Sequence, residues 1–472
     1  MPWLDLLLVI ATVPSLLLAL VFATECLVGV FFGGECHLPI SRRRPSVAVL
    51  VPARDEQETI SATVRDIVRQ LREGDRLLVV ADNCTDSTAA LAKAAGAEVI
   101  ERRDPEKEGK AHALALGRGV LASSPPEALI VLDADCRVPS DLVGTLARHV
   151  EATGRTVQAE FTSDAGEGGG VAALSVLAIL VKNRVRPAGL RRLGVPCLLN
   201  GSGMAFPWSA FERVDLAGAG IVEDMQLAVD LALSDRGAVW CDHVRLRSTP
   251  PAEKDGLLDQ RRRWEHGHLD TLLHQAPRLA AAGLLGLRPR LIWLAAHIAV
   301  PPLAMLAALL CGTCVMTLLG PLLWSGTLWP AATACSGLVL LGLGTFAAWA
   351  RFGRGLVSGT ALLAIPFYMA WKTPVYLSFL LRGPQKVWSA AGAGLARRDV
   401  GHDPARVGPG SAIPPKEPLS APPPPLPSSA RAAGERPVSP ARLGDAATPG
   451  GRRPDRGRER PSVPGIPIAR HS

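Results

Sequence analysis

The stretch LIVLDADCRVP, residues 129–139, is an apolar run that ends in two aspartates one residue apart. In an extended or tight-turn geometry, Asp133 and Asp135 can face the same way and share a divalent cation. Such a cation can in turn neutralise a diphosphate. Taken alone, the pair is at least as readily a strand end capped by solvated carboxylates. A second apolar strand closes in the same manner. VVADNCTDST, residues 79–88, brings Asp82, Asn83 and Asp86 to its tip. A carboxylate there can accept from a pyrimidine N–H or a ribose hydroxyl. Asp86, just before Ser87, suits a helix N-cap; Asp82 is not needed for capping.

Three further segments carry residue types that suit phosphate, proton and sugar chemistry. EGKAHAL, residues 108–114, sets Gly109 and Lys110 at a helix N-terminus, where amides and an ammonium can approach phosphate, although a solvated lysine at a loop–helix junction fits equally. GIVEDMQLAVDLAL, residues 220–233, opens an apolar-periodic helix with Glu223 and Asp224. Negative charge there complements the helix dipole, and adjacent acids at a cleft can also supply a general base. LDQRRRWEHGH, residues 258–268, places Gln260, Arg263 and Trp264 at helical spacing. A guanidinium suits a diphosphate and an indole face suits the apolar side of a sugar ring. The same segment also reads as a basic amphipathic helix on a membrane surface, with Arg261 and Arg262 serving that role.

These residues need a scaffold, and residues 45–287 supply one. Val47–Val51, Leu77–Val80, Glu98–Ile100 and Leu129–Leu132 read as strands, alternating with helices over 57–71, near Ser87–Ala95 and over Lys110–Leu121. That rhythm predicts an α/β fold with a mostly parallel sheet. Ligands in such sheets sit at the carboxyl ends of the strands, where Asp82, Asp133 and Asp135 fall.

The flanks have a different composition. The chain has 472 residues, a formal charge of +8 and 48% hydrophobic residues, unevenly spread. Residues 4–32 are long and apolar enough to cross a bilayer, without the basic start of a signal peptide. Arg42-Arg43-Arg44 follows and puts the next domain in the cytoplasm. Residues 291–318 and 327–350 are each expected to span, with Arg351 and Arg354 marking the return. Residues 355–381, interrupted by Pro366, Lys372 and Pro374, read as re-entrant or interfacial. From 386 the Pro/Arg-rich tail is expected to be disordered. The boundaries are therefore 1–40, 41–287, 288–385 and 386–472. The Ala/Arg/Gly/Pro-rich composition suggests a GC-rich bacterium, and hence a multi-pass protein of the inner membrane. Nine cysteines show no disulfide-like spacing, and Cys311-x-x-Cys314 lies within an apolar segment without further ligands.

Together, Asp82, Asp133-x-Asp135, Glu223-Asp224 and Gln260-x-x-Arg263-Trp264 occur in the order seen in membrane-embedded family 2 glycosyltransferases, and the chain resembles the cellulose, chitin, hyaluronan and poly-N-acetylglucosamine synthases over roughly residues 45–385. VAVLVPARDEQETI resembles their first strand and nucleotide loop, and Leu199-Asn200-Gly201-Ser202 the segment lining the acceptor end. The resemblance implies a GT-A type nucleotide-sugar-binding domain with a mixed, mostly parallel sheet, plus transmembrane helices at both ends. It implies that Asp82 contacts the uridine of a UDP-sugar, with Ala53 and Glu56 close by. Asp133 and Asp135 would hold the diphosphate through Mg2+ or Mn2+, with Lys110 as a phosphate neighbour and Gly201 at the acceptor end. Asp224, beside Glu223, would be the base, and Gln260, Arg263 and Trp264 would close the site. The reaction implied is a single displacement with inversion at the anomeric carbon.

Two departures stand out: Ala81 replaces the first acid of the usual nucleotide-loop pair, and Asn83-Cys84 replaces the usual glycine-serine. The implied product is a growing polysaccharide, with partner subunits for export; the alternative is transfer of one sugar to a lipid-linked acceptor. No G-x-G-x-x-G follows the first strand, which argues against a dinucleotide enzyme. Few ionisable residues interrupt the apolar segments, which argues against a carrier. The basic tail lacks aromatics, so nucleic acid is not an expected partner.

Overall fold

Val47–Ala53 (VAVLVPA) is apolar on both faces, and every residue of it is buried. A strand of that kind belongs in the middle of a sheet covered on both sides. In the computed structural model, which describes residues 2–34, 38–107, 109–163, 169–216, 223–248, 254–323 and 329–383, it is β1. The remaining strands are β2 (Arg76–Asp82), β3 (Glu98–Arg102), β4 (Ala128–Val131), β5 (Cys136–Arg137), β6 (Val157–Ser163), β7 (Met204–Pro207) and β8 (Val239–Ser248). They form one eight-stranded sheet in the order β3-β2-β1-β4-β7-β6-β8-β5.

The half of the sheet built from β3, β2, β1 and β4 is parallel. Its crossovers are the helices Ile60–Val68, Thr88–Ala94 and Lys110–Leu121. The first is shorter than expected because Glu56–Thr59 is taken up in a turn whose Glu56 carbonyl accepts from the Thr59 and Ile60 amides. Beyond β4 the sheet changes direction: β7 is antiparallel to both β4 and β6, while β6 and β8 run parallel. The mixed sheet is thus an α/β arrangement of the expected kind. Alternation along β1 divides the core. Val47, Val49 and Val51 pack with Ile60, Val64 and Ile67 on one face, and Ala48 and Leu50 pack with Leu114, Leu121 and Phe206 on the other. Burying each such large aliphatic side chain stabilises the fold by about 1.5–3 kcal/mol.

Among the described residues, two helical segments are long and apolar enough to cross a membrane by length and composition, Thr12–Phe32 and Trp329–Gly353. They lie against each other, with Gly344 allowing the close approach: a Cβ there would stand 3.0 Å from the Phe22 ring and 3.3 Å from the Ala23 backbone. The expected single span over 291–318 is not one helix. It breaks into Pro289–Ala299 and a helix from Leu303, bent by 75°. Pro301-Pro302 explains the break, since neither residue donates an amide and each ring crowds the preceding turn. The segment expected to be re-entrant contains a short 3-10 turn, Gly359–Ala364, and the helix Ile365–Arg382, with Lys372 buried. The tail from residue 386 lies outside the described residues.

Candidate active site

The two aspartates after β4 are held from several sides. The Asp133 amide donates to Ser202 Oγ at 2.9 Å. The buried Thr63 hydroxyl lies 2.7 Å from the Ala134 carbonyl and 2.9 Å from the Cys136 carbonyl. The two residues of β5 pair with the end of β8, and there Ser248 Oγ donates to Asp135 Oδ2 at 2.8 Å. Burial and the neighbouring Asp133 push the Asp135 carboxyl up to about 6. Glu56, at the tip of β1, is pushed up to about 8 by burial and then by Asp135. Removing the pin tests the arrangement. Thr63→Val keeps the shape and strands two carbonyls, so it is expected to cost about 1–3 kcal/mol, read as a lower melting temperature and a weaker donor affinity.

Gly201 lies where the other groups meet. Its φ of +79° is a conformation open to glycine, and a Cβ there would stand 3.3 Å from Lys110 Nζ, 3.5 Å from Asp224 Oδ2 and 3.9 Å from Asp133 Oδ2. Lys110, the first residue of its helix, pairs with Asp133 and donates to the Gly201 carbonyl at 2.9 Å. Asp224 opens the helix Glu223–Leu233, and its Oδ1 accepts from the Met225 amide at 2.8 Å. Burial raises the Asp224 carboxyl, opposed by Lys110 and Lys182 and assisted by Asp133. The loop carrying Gly201 is fixed by the fully buried Gln158, whose Nε2 donates to the Ser202 carbonyl at 2.9 Å and whose Oε1 accepts from the Asn200 amide at 3.0 Å.

At the end of β2, Asp82 is completely buried, with Oδ1 accepting from Arg102 at 2.6 Å and from the Asn83 side chain at 3.1 Å. Its Oδ2 is buried with no hydrogen-bond partner. Burial raises the Asp82 carboxyl, and Arg102 opposes this. Ala53 is buried, and its carbonyl accepts from the Cys84 thiol at 3.5 Å. Asp86 lies one residue before the N-cap of the following helix, Ser87, and accepts from the Thr88 amide at 2.9 Å.

The remaining expected residues are less complete. The backbones of Gln260 and Arg263 lie in the helix Lys254–Leu285 and that of Glu223 begins its own helix, but their side chains lie outside the described residues. Trp264 is 41% exposed. It lines a cavity of about 140 Å³ together with Lys182, Arg186, Glu265, His268 and Lys372. A smaller hollow shares Lys182, Arg186 and His268 and adds Asn200 and Met225, the neighbours of Gly201 and Asp224. The two hollows thus share a wall, and neither is lined by Asp133, Asp135 or Asp224. Burial pushes His268 down to about 3 and lowers Lys182.

Residues 45–267 match the family described as glycosyltransferase-like family 2. A glucosyl-3-phosphoglycerate synthase of Mycolicibacterium paratuberculosis is 32% identical over 21% of this chain and 31% of its own length. An uncharacterized glycosyltransferase of Mycobacterium tuberculosis is 36% identical over 19% of this chain and 37% of its own. The chain thus spans about a third of the length of the curated relatives it matches. Among solved structures, a mannosyltransferase of Pyrobaculum calidifontis, in complex with GDP-Man and Mn2+, covers 79% of this chain and 98% of its own at 18% identity and a TM-score of 0.48. A glucosyl-3-phosphoglycerate synthase of Mycobacterium tuberculosis, in complex with Mn2+, UDP-glucose and phosphoglyceric acid, covers 42% of this chain and 69% of its own at 23% identity and a TM-score of 0.29. The residues that match the model of glycosyltransferase-like family 2, 45–267, are those that build the mixed α/β sheet.

Proposed function

We propose that the chain is an inverting glycosyltransferase that moves a sugar from a UDP-sugar to an acceptor presented at the membrane. The convergence of Lys110, Asp133 and Asp224 on Gly201 carries this reading. Lys110 would supply a cation there, Asp133 a diphosphate-side carboxylate and Asp224 the base, around one small volume. The orphaned Oδ2 of Asp82 supports a nucleobase there, since the imide N–H of uracil supplies the missing donor. Asp224, beside Glu223, takes the proton from the acceptor hydroxyl as the hydroxyl attacks the anomeric carbon from the face opposite the leaving diphosphate. Lys110 steadies the departing charge. Gln260 and Arg263 close the site over the diphosphate, and Trp264 packs against the acceptor.

The acids fit Mg2+ or Mn2+. Burial first, and then the neighbouring carboxylates, raise the proton affinities of Glu56 and Asp135, a strain that a cation among these acids would relieve. Asp133 and Asp135 would hold the ion, which supplies electrostatic stabilisation of the nucleoside diphosphate.

The helices Thr12–Phe32 and Trp329–Gly353 anchor the domain, 41–287, on the cytoplasmic side of the inner membrane, and 288–385 forms the second membrane-associated part. The cavity beside Trp264 favours a lipid-linked acceptor over a growing polysaccharide passed to export partners. Phe22, Leu303 and Ala304 give it an apolar side, and Lys182, Arg186 and Lys372 a polar one, in which Arg186 pairs with Glu25 and Lys372 with Glu265. Membranes containing the protein, incubated with a panel of radiolabelled UDP-sugars, test both parts. A single chloroform-extractable product is expected. A ladder of lengthening products would restore the polysaccharide, and no transfer from any UDP-sugar would remove the donor assignment.

A further inference from the structure

A second cluster of reactive side chains uses none of the residues above. His149 Nε2 or Nδ1, Cys241 Sγ and a His243 ring nitrogen lie within 4.8 Å of one another. His149 comes from the helix Leu142–Thr153 and is fully buried. Cys241 and His243 come from β8, the first buried and the second exposed. Successive strand residues point to opposite faces, so positions two apart share a side. The ladder between β6 and β8 also shifts register between the Ala159–Cys241 and Glu160–Arg245 pairs, leaving Asp242, His243 and Val244 out of it. Irregularities of this kind re-aim a side chain.

The hydrogen bonds fix the tautomer of His149. Its Nδ1 is 2.8 Å from the Pro39 carbonyl oxygen, which can only accept, so Nδ1 carries the proton. In the neutral ring Nε2 keeps its lone pair, and it lies 2.8 Å from His243 Nδ1. A histidine that donates one ring nitrogen to a backbone carbonyl and turns the other towards further imidazole and thiol donors has the arrangement of a metal ligand with its orienting partner in place.

We propose that His149, Cys241 and His243 bind one Zn2+ ion, through His149 Nε2, His243 Nδ1 and Cys241 Sγ, with the fourth position open to solvent beside His243. Donors around one zinc ion stand roughly 3.3–3.8 Å apart, given bond lengths of about 2.0–2.3 Å, so the cluster closes by a small side-chain adjustment. The protons balance: Cys241 releases its thiol proton to solvent, and the His243 proton moves from Nδ1 to the exposed Nε2. The ion also clasps the segment that follows the first apolar helix. His149 holds Pro39, and Asp242 pairs at 3.0 Å with Arg191, which donates to the Gly33 carbonyl at 2.6 Å.

Cobalt titration tests the site apart from the carboxylate cleft, because thiolate ligation gives a near-ultraviolet charge-transfer band that an all-oxygen site lacks. The full chain in detergent, freed of metal and carrying Asp135→Ala to silence the other candidate site, is titrated with Co2+ and then with Zn2+. The expected result is a band that saturates at one cobalt per chain, is bleached by one equivalent of zinc, vanishes in Cys241→Ser and needs at least tenfold more cobalt in His243→Ala. His243 is exposed, so its variant folds, and Zn2+ is expected to raise the melting temperature of the parent but not of His243→Ala. Absence of the band, or a band indifferent to both substitutions, would overturn the proposal.

Discussion

Asp224→Asn is expected to lower the turnover number by roughly 10²–10⁴-fold, the usual contribution of a positioned general base, while donor affinity stays within about threefold. The geometry separates the two effects. Asp224 Oδ1 is committed to the Met225 amide, leaving Oδ2 as the oxygen near Gly201. Asparagine preserves the volume and an acceptor oxygen but cannot take up a proton. The contacts between Lys110, Asp133 and the Gly201 carbonyl do not involve Asp224 and persist in the variant. Since burial raises the Asp224 carboxyl, the acidic limb of the pH–rate profile should lie above the ordinary aspartate range and disappear in the variant. Single-turnover transfer alongside calorimetric UDP-sugar binding provides the check. If binding falls in step with turnover, Asp224 is a donor ligand and the base must be sought elsewhere.

Much of the scaffold was readable because burial on both faces leaves an unmistakable apolar run. The expected strands Val47–Val51, Leu77–Val80 and Leu129–Leu132 lie within two residues of β1, β2 and β4, and the acids at the ends of the last two are plain in the sequence. The expected cap at Asp86 is one residue early, since Ser87 is the N-cap. What escaped was held by tertiary contact. Gln158, Ser202, Thr63 and Ser248 are ordinary polar residues in sequence, and their role in holding the carboxylate loop emerges only when β6, β7 and β8 are brought beside β4. Lys182 offered a signal that was passed over: a cation inside VLAILVKNRVRPAGL is costly unless something needs it, and the helix widens to a π turn there. The bend at Pro301-Pro302 was lost for the opposite reason. Hydropathy averaged over a window registers apolar length and is blind to a missing amide. β5 and β7 are illegible for want of length, with two and four residues.

Asp135→Ala is the sharpest test of the cation. It is expected to cost about 10³-fold in transfer, the loss of several kcal/mol of charge stabilisation, and to abolish stabilisation by Mn2+. The linkage has a definite sign. Without a cation, Glu56 binds its proton in the folded cleft up to about pH 8 but in the unfolded chain only to about 4.5, and Asp135 to about 6 rather than 3.8. The folded state therefore holds more protons across that window, and the metal-free protein loses stability as pH rises through it. Mn2+ competes with those protons, so its effect should be small near pH 5 and large near pH 8. At 100 times its dissociation constant a ligand contributes about 2.7 kcal/mol. In Asp135→Ala the repulsion on Glu56 is relieved, so the pH slope should flatten and the Mn2+ response vanish together. Melting curves at both pH values, with and without Mn2+, read all four conditions. Full activity in chelator, or an undiminished Mn2+ response in the variant, would place the cation elsewhere and leave the crowded acids without their counter-charge.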